Sequence, residues 1–373
     1  MVDLKGQYMA IREEIDGALR DVLDSGRFIG GPAVQEFASS LAAYNGSSHA
    51  VTCANGTDAL QIALMALGLR PGDEVIVPDF TYVASAEVIA LLSLKPVFVD
   101  VDARTFNIDV AEVRKAITER TRAVIPVHLY GQCCDMEALM EIASEYGLYV
   151  VEDNAQSIGS DYRFRDGTVR KSGSIGHIGC TSFFPSKNLG CYGDGGALFT
   201  DDPELAERIS MIANHGQRIK YHHDIIGCNS RLDSIQAAVL NVKLRYLDRY
   251  CRLRREAAFY YNEGLSDLPQ VTLPYRADYS SHVYHQYTVQ VPAEYRDSLK
   301  KYLESRGIPS MIYYPLPLHG QKAFKGIARL SGSLETAGRL AASVLSLPMH
   351  TELTRDVQDE VIYAVKEFFR TNG

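Results

Sequence analysis

No stretch of this chain is apolar for long enough to cross a bilayer. The most apolar one, VIALLSLKPVFV, is interrupted by Lys95 and Pro96 and falls short of the roughly 20 residues that a spanning helix needs. The opening MVDLKGQYMA has no apolar core of the kind a secretory signal carries. Basic residues are in the minority: 38 Lys and Arg stand against 46 Asp and Glu, a net charge of −8. That excludes general nucleic-acid affinity, which needs a basic surface. An anionic substrate would have to be met by local arginines and backbone N–H groups. The seven cysteines (Cys53, Cys133, Cys134, Cys180, Cys191, Cys228 and Cys251) are odd in number, and no spacing among them matches a metal site or disulfide framework. His222 and His223 are neighbours that cannot face one ion from a regular element, and no H-E-x-x-H occurs. These absences predict a reduced, soluble, cytoplasmic protein with no metal, no membrane contact and no nucleic-acid partner.

The glycine signatures of the common nucleotide folds are missing too. A dinucleotide site needs G-x-G-x-x-G after its first strand, but the first strand here runs into ANGTDAL, with one glycine. No G-x-x-x-x-G-K-[ST] occurs. GDGG at 193–196 lies between two apolar runs and reads as a tight hairpin turn.

What is present is a long βα alternation. The 373 residues, 46% of them apolar, suit a large domain with a smaller companion. An N-terminal helix is expected from the spacing of Tyr8, Ile11, Ile15, Leu19 and Val22, and a second from Pro32 to Tyr44. From about 50 to 200, short Val/Ile-rich runs such as DEVIVP, PVFVDV and LYVVED alternate with helical segments. Continuous apolar strands of this kind belong to buried parallel sheets. The fold class is therefore α/β, with a mostly parallel central sheet flanked by helices. Residues 234–264 read as one long helix whose arginines, Arg249, Arg252, Arg254 and Arg255, form a solvated face, with a phosphate patch as the alternative. The expected division is a large domain over 1–249, with an N-terminal helical arm, and a small α/β domain over 250–373.

Three features of the large domain converge. NGTDAL sits at a strand-to-helix junction, where Gly56 lets a ligand approach the backbone, Thr57 offers a hydroxyl and the helix start offers N–H groups. This is an anion site by geometry, or else a plain helix cap. LYVVEDNAQS ends a buried strand on Asp153 with Gln156 three residues later, and ligands of open α/β sheets sit beyond such strand ends. Lys187 follows the apolar run Phe183-Phe184-Pro185. Burial there would lower its pKa, and a neutral amine can form a Schiff base with an aldehyde. A phosphate cradle, a strand-end carboxylate and a desolvated lysine together describe a site for pyridoxal 5′-phosphate.

The motifs ANGTDAL, PGDEVIVPDFTYVAS, VIPVHLYGQ, VEDNAQSIG, TSFFPSKNLGCYGDGGAL, NSRLDSIQAA, YYPLPLHGQKAF and LSLPMH stand in one order across nearly the whole chain. In these the sequence resembles the sugar aminotransferases of the DegT/DnrJ/EryC1/StrS type, within the fold-type-I pyridoxal phosphate enzymes. The resemblance implies Lys187 as the Schiff-base lysine and Asp153 as partner of the pyridinium nitrogen. It implies Gln156 at the ring hydroxyl, Gly56, Thr57 and Ser182 at the phosphate, and Tyr82, rather than Phe80, stacked on the ring. Asn229 would reach the cofactor phosphate of a partner subunit, so the smallest active unit would be a homodimer with shared sites. Arg231, Tyr221, His222, Tyr313, Tyr314 and His319 fall where family members contact the nucleotide-diphosphate sugar, with packing as the alternative for each.

Enzymes of this family that act on the third sugar carbon resemble this chain in reading NLG-x-x-GDGGA after the lysine, whereas those acting on the fourth carbon read TTGEGG. The spelling here, NLGCYGDGGA, implies amination of a 3-keto sugar. A UDP-linked 3-keto uronic acid and a dTDP-linked 3-keto-deoxyhexose both remain open, because Tyr313 stands where uronate-type members carry histidine. L-glutamate is the implied donor, with the cofactor cycling between pyridoxal and pyridoxamine phosphate. The other readings are a C4 aminotransferase, a same-fold sugar dehydratase, which would carry histidine in place of Lys187, and a non-catalytic binding module.

Overall fold

The βα alternation builds one eight-stranded sheet. The computed structural model describes residues 1–372. Its strands are β1 (His49–Cys53), β2 (Glu74–Pro78), β3 (Lys95–Val99), β4 (Thr121–Val124), β5 (Tyr149–Asp153), β6 (Asp161–Arg163), β7 (Val169–Lys171), β8 (Ile178–Ser182), β9 (Gly196–Thr200), β10 (Gln217–Ile219), β11 (His222–His223), β12 (Tyr287–Gln290), β13 (Arg329–Leu330) and β14 (Val344–Leu347). The large sheet has the order β1-β9-β8-β5-β4-β2-β3-β13. Within it β9 alone runs antiparallel to its neighbours.

Both faces of this sheet are covered, as parallel strands require. Along β2, Val75 and Val77 pack with Leu60, Ile62 and Ala63 of the helix Gly56–Ala66, while Ile76 packs with Leu139 and Ile142 of the helix Met136–Tyr146. The side-chain alternation of a strand thus serves two cores at once, and each fully buried aliphatic side chain stabilises the fold by about 1.5–3 kcal/mol.

A second unit surrounds the antiparallel pair β12–β14, which packs with the helices Ala293–Ser305 and Arg355–Asn372. Its core holds Tyr261, Leu299, Leu303, Val361 and Phe368. Between β12 and β14 the chain returns to the large sheet. Leu318, Phe324 and Leu334 join that core, and β13 extends the edge beside β3. Arg329 of β13 binds the buried Glu74 through Nε and Nη2, at 3.1 and 2.9 Å.

Three local expectations are corrected. The N-terminal arm is two helices, Leu4–Ala10 and Arg12–Ser25. The long helix over 234–264 is also two, Ser234–Leu244 and Leu247–Leu265, and Arg254 is buried rather than solvated. GDGG is not a tight hairpin: β8 and β9 do pair, but residues 183–195 form a long connection that carries Lys187. Among the described residues no helix is long and apolar enough to cross a membrane.

Candidate active site

Strands β1, β5 and β8 end on the same side of the sheet, and their ends open into a cavity of about 480 Å³. It brings together Gly56, Thr57, Tyr82, Asp153, Gln156, Ser182, Lys187, Tyr313 and Tyr314. These nine are scattered over more than half of the chain, and topology alone unites them.

The phosphate-type corner is made by a helix start. Asn55 caps the helix Gly56–Ala66, its Oδ1 accepting from the Asp58 amide at 2.8 Å. Its carbonyl accepts from the Ala59 amide. The Gly56 and Thr57 amides have no acceptor among the described residues, which leaves two donors at the positive end of a helix dipole. A Cβ on Gly56 would lie 2.6 Å from the Ser182 Cβ, so only glycine lets this helix touch the end of β8. The Ser182 hydroxyl oxygen accepts from the Phe184 amide at 3.3 Å and keeps its own proton for a further bond.

Asp153 closes β5. Its Oδ2 accepts from the Ser85 hydroxyl at 2.8 Å and its Oδ1 from the Ala155 amide at 3.1 Å. Gln156 is held at both ends: Oε1 accepts from the Tyr130 amide at 2.7 Å, and Nε2 donates to the Tyr314 hydroxyl at 3.1 Å. The Tyr130 hydroxyl in turn donates to the Tyr313 carbonyl. Tyr82 is 55% exposed and lines the cavity, whereas Phe80 is 1% exposed and packs in the core beneath. Of the two aromatics, only Tyr82 can lie against a ligand.

Lys187 is half-buried in the wall. Burial lowers its pKa to about 8, and the charge of Asp153 pulls it partly back. The loop carrying it is anchored where the apolar run predicts. Phe183 is fully buried edge-on to Phe37, and the Phe183 amide donates to the Gly195 carbonyl. Lys243 adds a brace that no motif announces. It is 1% exposed, and its Nζ donates to the Gly190 carbonyl at 2.7 Å. Ser85, Lys243, His285 and Gln286 are the parts of the site that sequence reasoning missed. Ser85 and Lys243 lie inside ordinary helical patterns, and His285 and Gln286 stand just before β12, outside every quoted motif.

The remaining candidates lie outside this cavity. Tyr221 and His222 are exposed on the β10–β11 hairpin. Asn229 and Arg231 are exposed as well, with Arg231 Nη1 3.4 Å from Asn214 Oδ1. His319 is tied to the buried Asp79: its amide donates to Oδ1 at 2.8 Å and its Nδ1 lies 2.5 Å from Oδ2. That pair fastens the chain after Tyr314 to the end of β2, next to Thr81 and Tyr82.

The residues present fit pyridoxal phosphate. Two free amides and two hydroxyls suit its phosphate, a fixed carboxylate its ring nitrogen, and a low-pKa lysine its aldehyde. The model of the DegT/DnrJ/EryC1/StrS aminotransferase family matches residues 9–366. The chain is 47% identical to a pleiotropic regulatory protein of Geobacillus stearothermophilus, over 99% of this chain and 98% of that one. It is 47% identical to the UDP-2-acetamido-2-deoxy-3-oxo-D-glucuronate aminotransferase of Pseudomonas aeruginosa, over 94% and 95%. Identity to the dTDP-3-amino-3,4,6-trideoxy-alpha-D-glucose transaminase of Streptomyces venezuelae is 46%, over 98% and 95%. Among solved structures, S. venezuelae DesV in complex with a ketimine intermediate superposes with a TM-score of 0.94 at 46% identity, covering 98% of this chain and 97% of that one.

Proposed function

The chain belongs to the DegT/DnrJ/EryC1/StrS aminotransferase family, and from that premise we propose that it transfers an amino group to C3 of a nucleotide-linked keto sugar. It is a pyridoxal phosphate-dependent sugar aminotransferase on the fold-type-I scaffold. The observation that carries the reading is the meeting of Lys187, Asp153 and the helix start at Gly56 in one cavity.

Bound there, pyridoxal phosphate supplies an aldehyde and a ring that withdraws electrons from the substrate's reacting carbon. The Gly56 and Thr57 amides and the Ser182 hydroxyl would hold its phosphate. Asp153, oriented by Ser85 and Ala155, would pair with the ring nitrogen, and Gln156 would face the ring hydroxyl. Lys187, with a pKa of about 8, exchanges its proton readily near neutral pH. Its Nζ takes the proton from the α-carbon of the amino donor and later gives a proton to C3 of the sugar. L-glutamate is the donor we propose, leaving as 2-oxoglutarate.

Two lines support C3: the spelling NLGCYGDGGA after Lys187, and relatives named for a 3-oxo and a 3-amino sugar. The substrate class is a UDP-linked 3-keto uronic acid or a dTDP-linked 3-keto-deoxyhexose. A homodimer suits the exposure of Tyr221, His222, Asn229 and Arg231 outside their own chain's cavity, where a second copy's site could receive them. A cytoplasmic location suits seven free cysteines, six of them buried. A purely regulatory role would leave Lys187 and Asp153 without use.

The test is Lys187→Ala. The variant should keep the wild-type melting temperature and form no amino sugar from glutamate and a nucleotide-linked 3-keto sugar. Turnover at the wild-type rate would remove Lys187 from the mechanism.

A further inference from the structure

One wall of the cavity is polar in a way that the reaction above leaves unused. His285 lines it and is 8% exposed. Its ring makes no hydrogen bond among the described residues, and Nδ1 is buried without a partner. Leaving a buried polar atom unpaired is costly, so such an atom calls for an explanation.

The backbone around His285 is fixed with unusual means. Arg254, 4% exposed, donates from Nη1 to the carbonyls of Tyr284 and His285 at 3.2 Å and of Met349 at 3.3 Å. From the other side Asn188, next to Lys187, donates from Nδ2 to the Val283 carbonyl at 3.2 Å. The Asn188–Val283 bond therefore ties the segment after Lys187 to the segment before His285, and both residues line the same cavity.

We infer that His285 is a positioning residue for the proton on Lys187, its neutral imidazole accepting a hydrogen bond from the Lys187 Nζ once that amine has taken the donor's α-proton. In this step the substrate C–H bond breaks and its electron pair stays with carbon. The proton forms a new N–H bond on Lys187, and His285 gains or loses none. The inference rests on Lys187 being the base of the proposed reaction. The other titratable groups facing this corner are Asp153, Asp194, Tyr82, Tyr313 and Tyr314, with Arg254 bonded to the His285 carbonyl. Burial and the charges of Lys187 and Arg254 push His285 well below the usual imidazole range, so it stays neutral where Lys187 titrates.

The test begins with cofactor-free enzyme, in which acetic anhydride labels Lys187 across a pH series and peptide mass spectrometry reads the extent. An ammonium that loses its acceptor gives up its proton more easily. His285→Phe should therefore lower the apparent pKa of Lys187 by about one unit, and His285→Gln, which keeps an acceptor, should restore most of it. In the loaded enzyme His285→Phe should slow the glutamate half-reaction roughly tenfold or more. The α-deuterium isotope effect should rise, with KM for glutamate within about twofold of wild type. An unchanged Lys187 pKa in His285→Phe overturns the inference, as does a change confined to KM. If His285→Phe does not fold, His285→Gln decides: a Lys187 pKa one unit or more below wild type in that variant overturns it as well. The labelling needs no turnover, so its failure is separate from failure of the aminotransferase reading, which Lys187→Ala tests.

Discussion

The Ser85 hydroxyl donates to Asp153 Oδ2 at 2.8 Å and so orients the carboxylate that closes β5. Ser85 lies in TYVASAEV, a run of small residues at a helix start, and nothing in its spacing says that its hydroxyl meets Asp153 Oδ2. Only the crossing of the helix Ala84–Leu91 near the end of β5 does so. Removing this donor leaves a buried carboxylate oxygen short of a partner, at a cost of about 1–3 kcal/mol. Ser85→Ala should therefore bind pyridoxal phosphate roughly tenfold more weakly, read by titrating the cofactor absorbance. Unchanged affinity would mean that Asp153 needs no help from Ser85. Lys187 follows an apolar run that marks burial only in part: Phe183 is fully buried and Lys187 half-buried, while Phe184 is 52% exposed. Arg254 was harder to read, since a lone sequence does not say which face of a charged helix turns inward.

Among elements, the strands were legible because buried parallel strands are continuous Val/Ile runs, as in β2, β3 and β5. Breaks caused by tertiary packing were not. Nothing in LRYLDRY announces the interruption between the helices Ser234–Leu244 and Leu247–Leu265. The glycines at 193–196 looked like a turn because loop length between paired strands is not written in composition. The glycine that starts the helix Gly56–Ala66 reads in the sequence as room for a ligand beside the backbone, and the fold shows a different close neighbour, Ser182. Gly56→Ala should force the helix start away from β8, costing about 1–3 kcal/mol of stability as overpacking. It should also weaken cofactor binding, because the Gly56 and Thr57 amides move with it. Thermal melting and cofactor titration check the two effects together. Full cofactor affinity in a destabilised variant would contradict the assignment of these amides.

At the scale of the molecule, Gly56, Thr57, Tyr82, Asp153, Gln156, Ser182 and Lys187 meet in one cavity of a single chain, whereas Tyr221, His222, Asn229 and Arg231 lie on the surface beyond it. Their positions in the sequence could not reveal this division, because distance to a cavity depends on the whole sheet order. The sugar position is the converse case. The proposal of C3 draws on a few residues after Lys187, while the cavity walls alone do not name a carbon. The return of residues 318–334 to the large sheet, with His319 fastened to Asp79, links the Tyr313–Tyr314 wall to the end of β2. That wall of the cavity is thereby held to the large sheet. The most direct measurement is identification of the product. The purified enzyme is given glutamate and a panel of UDP- and dTDP-linked 3-keto and 4-keto sugars, and products are read by mass spectrometry and NMR. An amine at C3 of at least one 3-keto substrate, with 4-keto sugars unchanged, is the expected result. Amination of 4-keto sugars alone would contradict the account, as would no amino sugar from any member of the panel.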